Sequence, residues 1–196
     1  MGLDAIEEFF KTRGSDVFHE VSPLAGVDLF ATLSKRGYYP TELSSVLFRP
    51  IDPDSSTPGV SPAIRIREVD MTEADMFADV CARGWSESPQ VRSFVLGMAR
   101  ITIERSHALV AEIDGTPVAT GSLFIHDGVA VFAGASTVPE GRRQGAQLAL
   151  LDARLRLAAS HGCDLATMCA APGGASQRNA ERHGFRIAYT RTKWQL

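Results

Sequence analysis

The sequence predicts an α/β (α+β) protein with a mixed, mostly antiparallel sheet flanked by helices. Asp-Gly pairs at 114–115 and 127–128 join three consecutive strand-like stretches, and such pairs are strong signals for tight hairpin turns. Directly after the third stretch, a turn with proline and glycine at 138–145 leads into a helical pattern at 147–160. Antiparallel strands followed by a strand, turn and helix predict helices packed on a sheet.

The N-terminal 51 residues have the order helix, strand, helix, strand. Apolar residues recur at helical spacing in the first segment, and Gly14 and Gly37 end the two helical patterns. The predicted helices span 3–13 and 27–35, and the predicted strands span 16–21 and 44–51. Residues 50–62 contain four prolines, one glycine and three serines, a composition typical of a linker, which we place at 52–62.

Residues 63–196 form the second predicted domain. Thr72 is the expected N-cap of its first helix, and 86–89 is an expected turn. The predicted strands span 64–69, 107–113, 117–125, 129–138, 165–170 and 185–194, and the predicted helices span 73–84, 90–105, 147–160 and 176–183.

Composition narrows the class of protein. The 196 residues are 44% hydrophobic and 22% charged, typical of a soluble globular chain. A net charge of -3 argues against a nucleic-acid partner, and no apolar run is long enough to span a membrane. The start has no basic signal-peptide region, so we expect a cytoplasmic location. Three cysteines without C-x-x-C spacing predict buried thiols, with neither disulfides nor a metal site.

The segment from Ser136 to Gln147 predicts an anion site. Backbone N–H groups at the start of a helix lack partners, and the positive end of the helix dipole points the same way. Arg142 and Arg143 add positive charge, while Gly145 allows a phosphate to approach the backbone.

This segment resembles the signature of the GNAT acyltransferase superfamily, V-x-P-x-x-R-x-x-G-x-G/A. Val138, Pro139, Arg142 and Gly145 match it, whereas Gln147 stands where the family usually has Gly or Ala. A second family-like stretch runs from 176–179 to Gly184-Phe185, and the element order of 63–196 is also that of the family. The resemblance implies the GNAT acyl-CoA N-acyltransferase fold, with a mixed sheet that splays near Val138 and helices on both faces.

The N-terminal block resembles a degenerate copy of the second half of such a domain. Leu3-Asp4-Ala5 recurs at 151–153, and Gly14-x-Asp16 recurs at 162–164. The copy lacks the pyrophosphate turn. As a hypothesis, this α-β-α-β half-domain packs against the main sheet and shapes the acceptor cleft or a homodimer contact.

The resemblance implies an N-acetyltransferase that moves an acetyl group directly from acetyl-CoA to the amine of a small molecule or peptide. The Val138 N–H would polarise the thioester oxygen, and Thr137 and Val138 would pair with the pantetheine arm. Asn179 would reach the same arm. Backbone groups would hold the pyrophosphate; the expected residues are Arg143, Gln144, Gly145, Ala146 and Gln147.

The catalytic acid and base are not evident. Many family members carry a tyrosine at the position of Ala180 and a glutamate on the strand before the turn, and both are absent here. The remaining candidates are Glu87 in a loop, His126 with its near-neutral pKa, and Ser136 beside the expected thioester. A water chain is an alternative base.

Two other functions stay open at this point. A strand, a glycine-bearing turn and a helix also begin dinucleotide-binding domains, but G-x-G-x-x-G and G-x-x-x-x-G-K-S/T are absent and hairpins precede the turn. A catalytically weak acyl-CoA-binding module with a regulatory or interaction role would fit the missing tyrosine and glutamate.

Overall fold

The computed structural model describes residues 2–52, 63–85 and 89–196, with side chains from 93 onward in the last segment. The helices are α1 Leu3–Lys11, α2 Val27–Lys35, α3 Ala74–Trp85, α4 Pro89–Arg105, α5 Ala146–Ser160 and α6 Ala175–Arg182. The strands are β1 Phe18–Val21, β2 Tyr39–Pro50, β3 Ile64–Glu68, β4 His107–Ile113, β5 Thr116–His126, β6 Val129–Thr137, β7 Leu165–Ala170 and β8 Arg186–Gln195.

The chain divides into two compact units, and the first contains both ends of the chain. It comprises residues 1–47 and 169–196. Its strands lie in the order β1, β8, β2, and β1 pairs antiparallel with β8 from Phe18 opposite Gln195 to Val21 opposite Thr192. The last strand of the chain therefore lies between two strands of the N-terminal block.

Trp194 is at the centre of the apolar core of the first unit. Its ring stacks on Phe30 with the ring centroids 5.8 Å apart, and it packs with apolar side chains of α1, α2 and β1. The buried members of this core are Val17, Val21, Leu33, Tyr38 and Trp194. Because α1 and α2 each place apolar residues on one face, both helices cover the same side of this sheet.

An ionic cluster joins α1 to α2 at the edge of this core. Arg36 Nε donates to Glu7 Oε1 at 2.8 Å, and the Tyr38 hydroxyl donates to the same oxygen at 3.1 Å. The Arg36 guanidinium holds the pKa of the Glu7 carboxyl at about 2. Burial, followed by the Glu7 carboxylate, raises the pKa of Tyr38 to about 12.

The second unit, 48–168, contains strands in the order β7, β6, β5, β4, β3. The pairs β3 with β4, β4 with β5 and β5 with β6 are antiparallel, whereas β6 and β7 are parallel. Both Asp-Gly turns have the positive φ angles that such hairpins need, at 114–115 and 127–128. This mixed arrangement matches the predicted fold class.

Helices cover both faces of this sheet because its strands are apolar on both sides. Leu109 and Ala111 face a core that includes Leu150 of α5, while the intervening Val110 faces Phe77 of α3. The two faces of β4 therefore carry separate cores, as expected of a sheet between helix layers.

Most predicted elements are confirmed to within five residues, with two local differences. Asp70, rather than Thr72, is the N-cap of the 3-10 turn Met71–Glu73 that leads into α3, because its Oδ1 accepts the Thr72 N–H at 2.8 Å. Cys169 is exposed, whereas Cys81 and Cys163 are buried as predicted. In the two compact units, α6 and β8 group with the N-terminal block, and the division into domains at 1–51 and 63–196 stays a prediction.

Two sequence predictions fall largely outside the described residues: the linker at 52–62 and the turn at 86–89. In the part of the chain that is described, no helix is long and apolar enough to cross a membrane.

Candidate functional site

The candidate site is built where β6 parts from β7. The parallel pairing runs from Val129 opposite Leu165 to Phe132 opposite Met168 and then ends. Beyond Phe132, no described strand pairs with β6 on that side, although β6 continues to Thr137. The last residues of β6 thus present a free backbone edge, which is the splay that the sequence predicts near Val138.

A bulge between β5 and β6 accompanies this divergence. The register shifts between Thr120 and Ser122, so that β6 has an extra residue near Gly134, whose φ is +62°. Ser122 Oγ donates to Ala133 O at 3.0 Å and fixes the shifted backbone. The extra residue therefore changes the direction in which the residues after the bulge face.

Arg154 supports the bulge from α5, although it is a buried cation. Its Nη1 donates to Ser122 O at 3.4 Å, and its guanidinium lies 4.8 Å from the centroid of the Phe132 ring. Burial lowers the pKa of Arg154 to about 10, which leaves it charged at neutral pH. The space that it needs exists because residue 121 is glycine: a Cβ there would lie 3.1 Å from Arg154 Cζ.

The Val138 N–H, predicted to polarise the thioester oxygen, already has a partner within the sheet, and its catalytic role stays a prediction. It donates to Val118 O at 2.9 Å, and the Val138 side chain is buried in the core. Because backbone groups of an antiparallel strand alternate in direction, the N–H and C=O of Thr137 point away from β5 toward the free edge. The N–H at the strand end that points away from β5 is therefore that of Thr137.

The turn after β6 is tight, and two of its residues have positive φ angles. Pro139–Gly141 is a single 3-10 turn, Arg143 has φ +61° and Gly145 has φ +88°. Gly141 lies so close to β5 that a Cβ on it would be 2.7 Å from Val118 Cβ. These constraints place the start of α5 directly beside the end of β6.

Six consecutive N–H groups, from Arg143 to Leu148, have no hydrogen-bond acceptor among the described residues. The next amide, that of Ala149, donates to Gly145 O at 3.0 Å and begins the helical pattern. Arg143 is exposed and makes no ion pair with any residue that the structure describes. A row of free donors at the positive end of a 15-residue helix, with a free guanidinium beside it, suits a phosphate-bearing ligand.

Neighbouring polar side chains stabilise the turn itself. Arg142 reaches back toward Thr137 O at 3.4 Å and Gly84 O at 3.5 Å. Gln144 Nε2 donates to Glu140 O at 2.8 Å. Of the two predicted arginines, Arg142 thus holds the loop, while Arg143 stays available for a ligand.

The C-terminal end of α3 packs directly on the end of β6. A Cβ on Gly84 would lie 2.7 Å from Thr137 N and 2.8 Å from Ser136 Oγ. The Ser136 hydroxyl is buried and lies 2.9 Å from Thr120 Oγ1, next to the buried Cys81 of α3. Burial raises the pKa of the Cys81 thiol, so this cluster is neutral.

The three proposed acid-base side chains have different outcomes. His126 is the last residue of β5 and pairs with Val129, about 26 Å of strand from Thr137, so the structure does not bring it to the end of β6. Glu87 lies outside the described residues. Ser136 does lie beside the strand end, and its catalytic role stays a prediction.

The family model described as acetyltransferase (GNAT) family matches residues 73–185, more than half of the chain. The chain belongs to the GNAT family. The matched region includes α3, β5, β6, the turn and α5, which are the elements that build the site.

Solved structures of this family have the same fold at low sequence identity. A GCN5-related N-acetyltransferase from Kribbella flavida superposes with a TM-score of 0.76 at 20% identity, covering 98% of this chain and 73% of that one. A second, from Sphaerobacter thermophilus, gives 0.75 at 17% identity, covering 97% and 64%.

A tandem GNAT protein from the clavulanic acid biosynthesis pathway gives a TM-score of 0.65 at 15% identity, covering 93% of this chain and 62% of that one. Among curated protein sequences, none matches the chain.

Asn179 and Ala180 belong to the first unit. Both lie on α6, where Ala180 is buried and Asn179 is partly buried, and the Asn179 carbonyl accepts from His183 Nδ1 at 2.6 Å if that nitrogen carries the proton. The contribution of Asn179 to cofactor binding stays a prediction. The buried alanine cannot supply the hydroxyl that many GNAT enzymes have at its position.

Sequence reasoning missed Gly84, Arg154 and the side-chain contacts of Gln147. Gly84 was visible only as a helix-ending glycine, a feature with many causes. Arg154 belongs to an ordinary helical pattern, so nothing local indicates its burial. In the described segments, no group of three His, Cys, Asp or Glu side chains is arranged to hold a metal ion.

Proposed function

We propose that this GNAT protein transfers an acetyl group from acetyl-CoA directly to an amine. The observation that carries the proposal is the row of six acceptor-free N–H groups from Arg143 to Leu148 beside the free edge of β6. The first feature fits a pyrophosphate and the second fits the extended pantetheine arm, which could pair with the strand end as an added strand.

The residues present fit acetyl-CoA. Arg143 and the amides of Gln144, Gly145, Ala146 and Gln147 would hold the pyrophosphate, and Thr137 would pair with the arm. We assign polarisation of the thioester oxygen to the Thr137 N–H in place of the Val138 N–H, since the latter already donates to Val118. Such a preorganised donor stabilises charge that develops on the carbonyl oxygen.

The reaction requires little covalent chemistry from the protein. The amine nitrogen attacks the thioester carbonyl carbon, a C–N bond forms as the C–S bond breaks, and the proton lost by the amine ends on the CoA sulfur. Holding the two reactants in the attacking geometry can lower the barrier by about 7 to 11 kcal/mol. A water chain would deprotonate the amine, since Ser136 is hydrogen-bonded in a buried neutral cluster.

Thermal shift and turnover together test the proposal. Acetyl-CoA at 100 times its dissociation constant should add about 2.7 kcal/mol to the free energy of unfolding. Release of CoA thiol with a panel of amines, and none without amine, should then follow. A shift with NAD but none with acetyl-CoA would refute the assignment.

One observation favours a second candidate, a catalytically weak acyl-CoA-binding module. Position 180 is a buried alanine, so the tyrosine that protonates the thiolate in many GNAT enzymes is missing. This candidate predicts a thermal shift with acetyl-CoA but no thiol release with any amine. The amine acceptor, a homodimer and the cytoplasmic location stay predictions from the sequence.

A further inference from the structure

Gln147 departs from the family signature, and its side chain contacts the end of β6. Its Nε2 donates to Ser136 O at 2.6 Å and to Thr137 Oγ1 at 2.8 Å. One side-chain amide group thus uses both of its hydrogens on two adjacent residues of the strand. The glycine or alanine that the family signature usually has here could make neither bond.

The two segments that Gln147 joins have separate tasks in the proposed function. Its own backbone belongs to the row of free N–H groups, and its side chain reaches the strand end whose Thr137 N–H points to the free edge. No described strand pairs with that edge of β6, so nothing else in the sheet fixes it from that side.

We propose that Gln147 is a positioning residue that sets the distance and orientation of the Thr137 N–H relative to the phosphate-binding turn. This inference rests on the proposed function. When the turn holds a ligand at its phosphates, the thioester end of that ligand would contact a strand end that is already fixed in place. Preorganised geometry of this kind affects the rate more than the binding affinity.

The test compares Gln147→Ala and Gln147→Met with the wild type. Alanine removes both hydrogen bonds and the side chain, whereas methionine keeps its length but has no donor. Both variants keep the backbone N–H groups. We expect kcat to fall about 10-fold in both, because small misplacements at a reacting centre are costly, while KM for acetyl-CoA changes less than about 3-fold, since the backbone donors to the phosphates remain.

Amide hydrogen exchange without any ligand provides the independent measurement. Exchange at Val138, whose N–H donates to Val118 O, should accelerate in both variants, because this hydrogen-bonded amide lies directly after the two residues that Gln147 holds. The control is Gln195→Ala, which removes one surface hydrogen bond to Asp16 in the other unit and should leave exchange at Val138 and kcat unchanged.

Each outcome decides between explanations. Wild-type behaviour of Gln147→Met overturns the proposal and assigns Gln147 a packing role, and a rise in KM at unchanged kcat overturns it in favour of a ligand-binding role. If the wild type neither binds acetyl-CoA nor acts on any amine, the proposed function fails, and unchanged exchange in the variants would separately refute the positioning contact.

Discussion

Gly145→Glu tests the phosphate-binding turn most directly. Gly145 has φ +88°, and a Cβ there would lie 3.5 Å from Ile64 Cδ1, so a side chain can be accommodated sterically. The substitution adds backbone strain of about 1 to 2 kcal/mol at a left-handed position. It also places a carboxylate where the row of free N–H groups would receive a pyrophosphate.

The electrostatic effect should dominate. Two like charges about 6 Å apart repel by about 3 kcal/mol at an effective dielectric constant of about 20. This corresponds to roughly 100-fold weaker binding for each unit of phosphate charge. We therefore expect Gly145→Glu to abolish measurable acetyl-CoA binding in isothermal titration calorimetry, with a folded protein by circular dichroism.

The matched control is Gly162→Glu. Gly162 has φ +74° and no atom within 4 Å of a Cβ, so this variant suffers a similar strain and adds the same charge away from the turn. Both variants should lose similar thermal stability, and the control should bind acetyl-CoA as the wild type does. Normal binding by Gly145→Glu, or equal loss in the two variants, would refute the assignment of the turn.

Three further predictions follow from the packing. Gly84→Ala should lower turnover, because the new Cβ would lie 2.7 Å from the Thr137 backbone nitrogen and force α3 to shift. The control Gly97→Ala has open space around it, so it should stabilise α4 by up to about 1 kcal/mol and keep activity. Equal activity of the two variants would contradict this. A chain of residues 62–196 should aggregate or bind a hydrophobic dye. Exposing Trp194 alone costs about 4 to 6 kcal/mol, and β8 loses the strands on both of its sides. A soluble, fully active product would show that the N-terminal block is dispensable. Glu7→Gln should weaken the acid dependence of stability. The Arg36 guanidinium lowers the native pKa of Glu7 to about 2, below the ordinary value, so the stabilising contribution of Glu7 is present above about pH 4.5 and is lost as pH falls toward 2. Urea titrations across that range should show a flatter profile for the variant.

Local signals in the sequence were enough to predict the elements and the turn. Hairpin dipeptides require positive φ, helix-ending glycines do the same, and apolar periodicity reflects which face is buried, so these features act within a few residues. The motif from Val138 to Gly145 likewise predicted the free N–H groups of the turn, because they belong to a contiguous stretch of backbone.

Contacts between distant segments were decided only by the tertiary structure. The parting of β6 from β7, the use of the Val138 N–H by β5 and the burial of Arg154 against the bulge depend on register and on residues far apart in the chain. His126 shows the same limit, since the type of a residue says nothing about which end of a strand it occupies.

The turn itself illustrates both levels. The sequence by itself determined that Arg143 to Gln147 would offer free N–H groups, because the start of any helix leaves them without partners. Only the folded chain decided that Gln147 reaches from the start of α5 to Ser136 and Thr137. The physical reason is that backbone donors follow from local conformation, whereas the partner of a side chain depends on which segment the fold brings beside it.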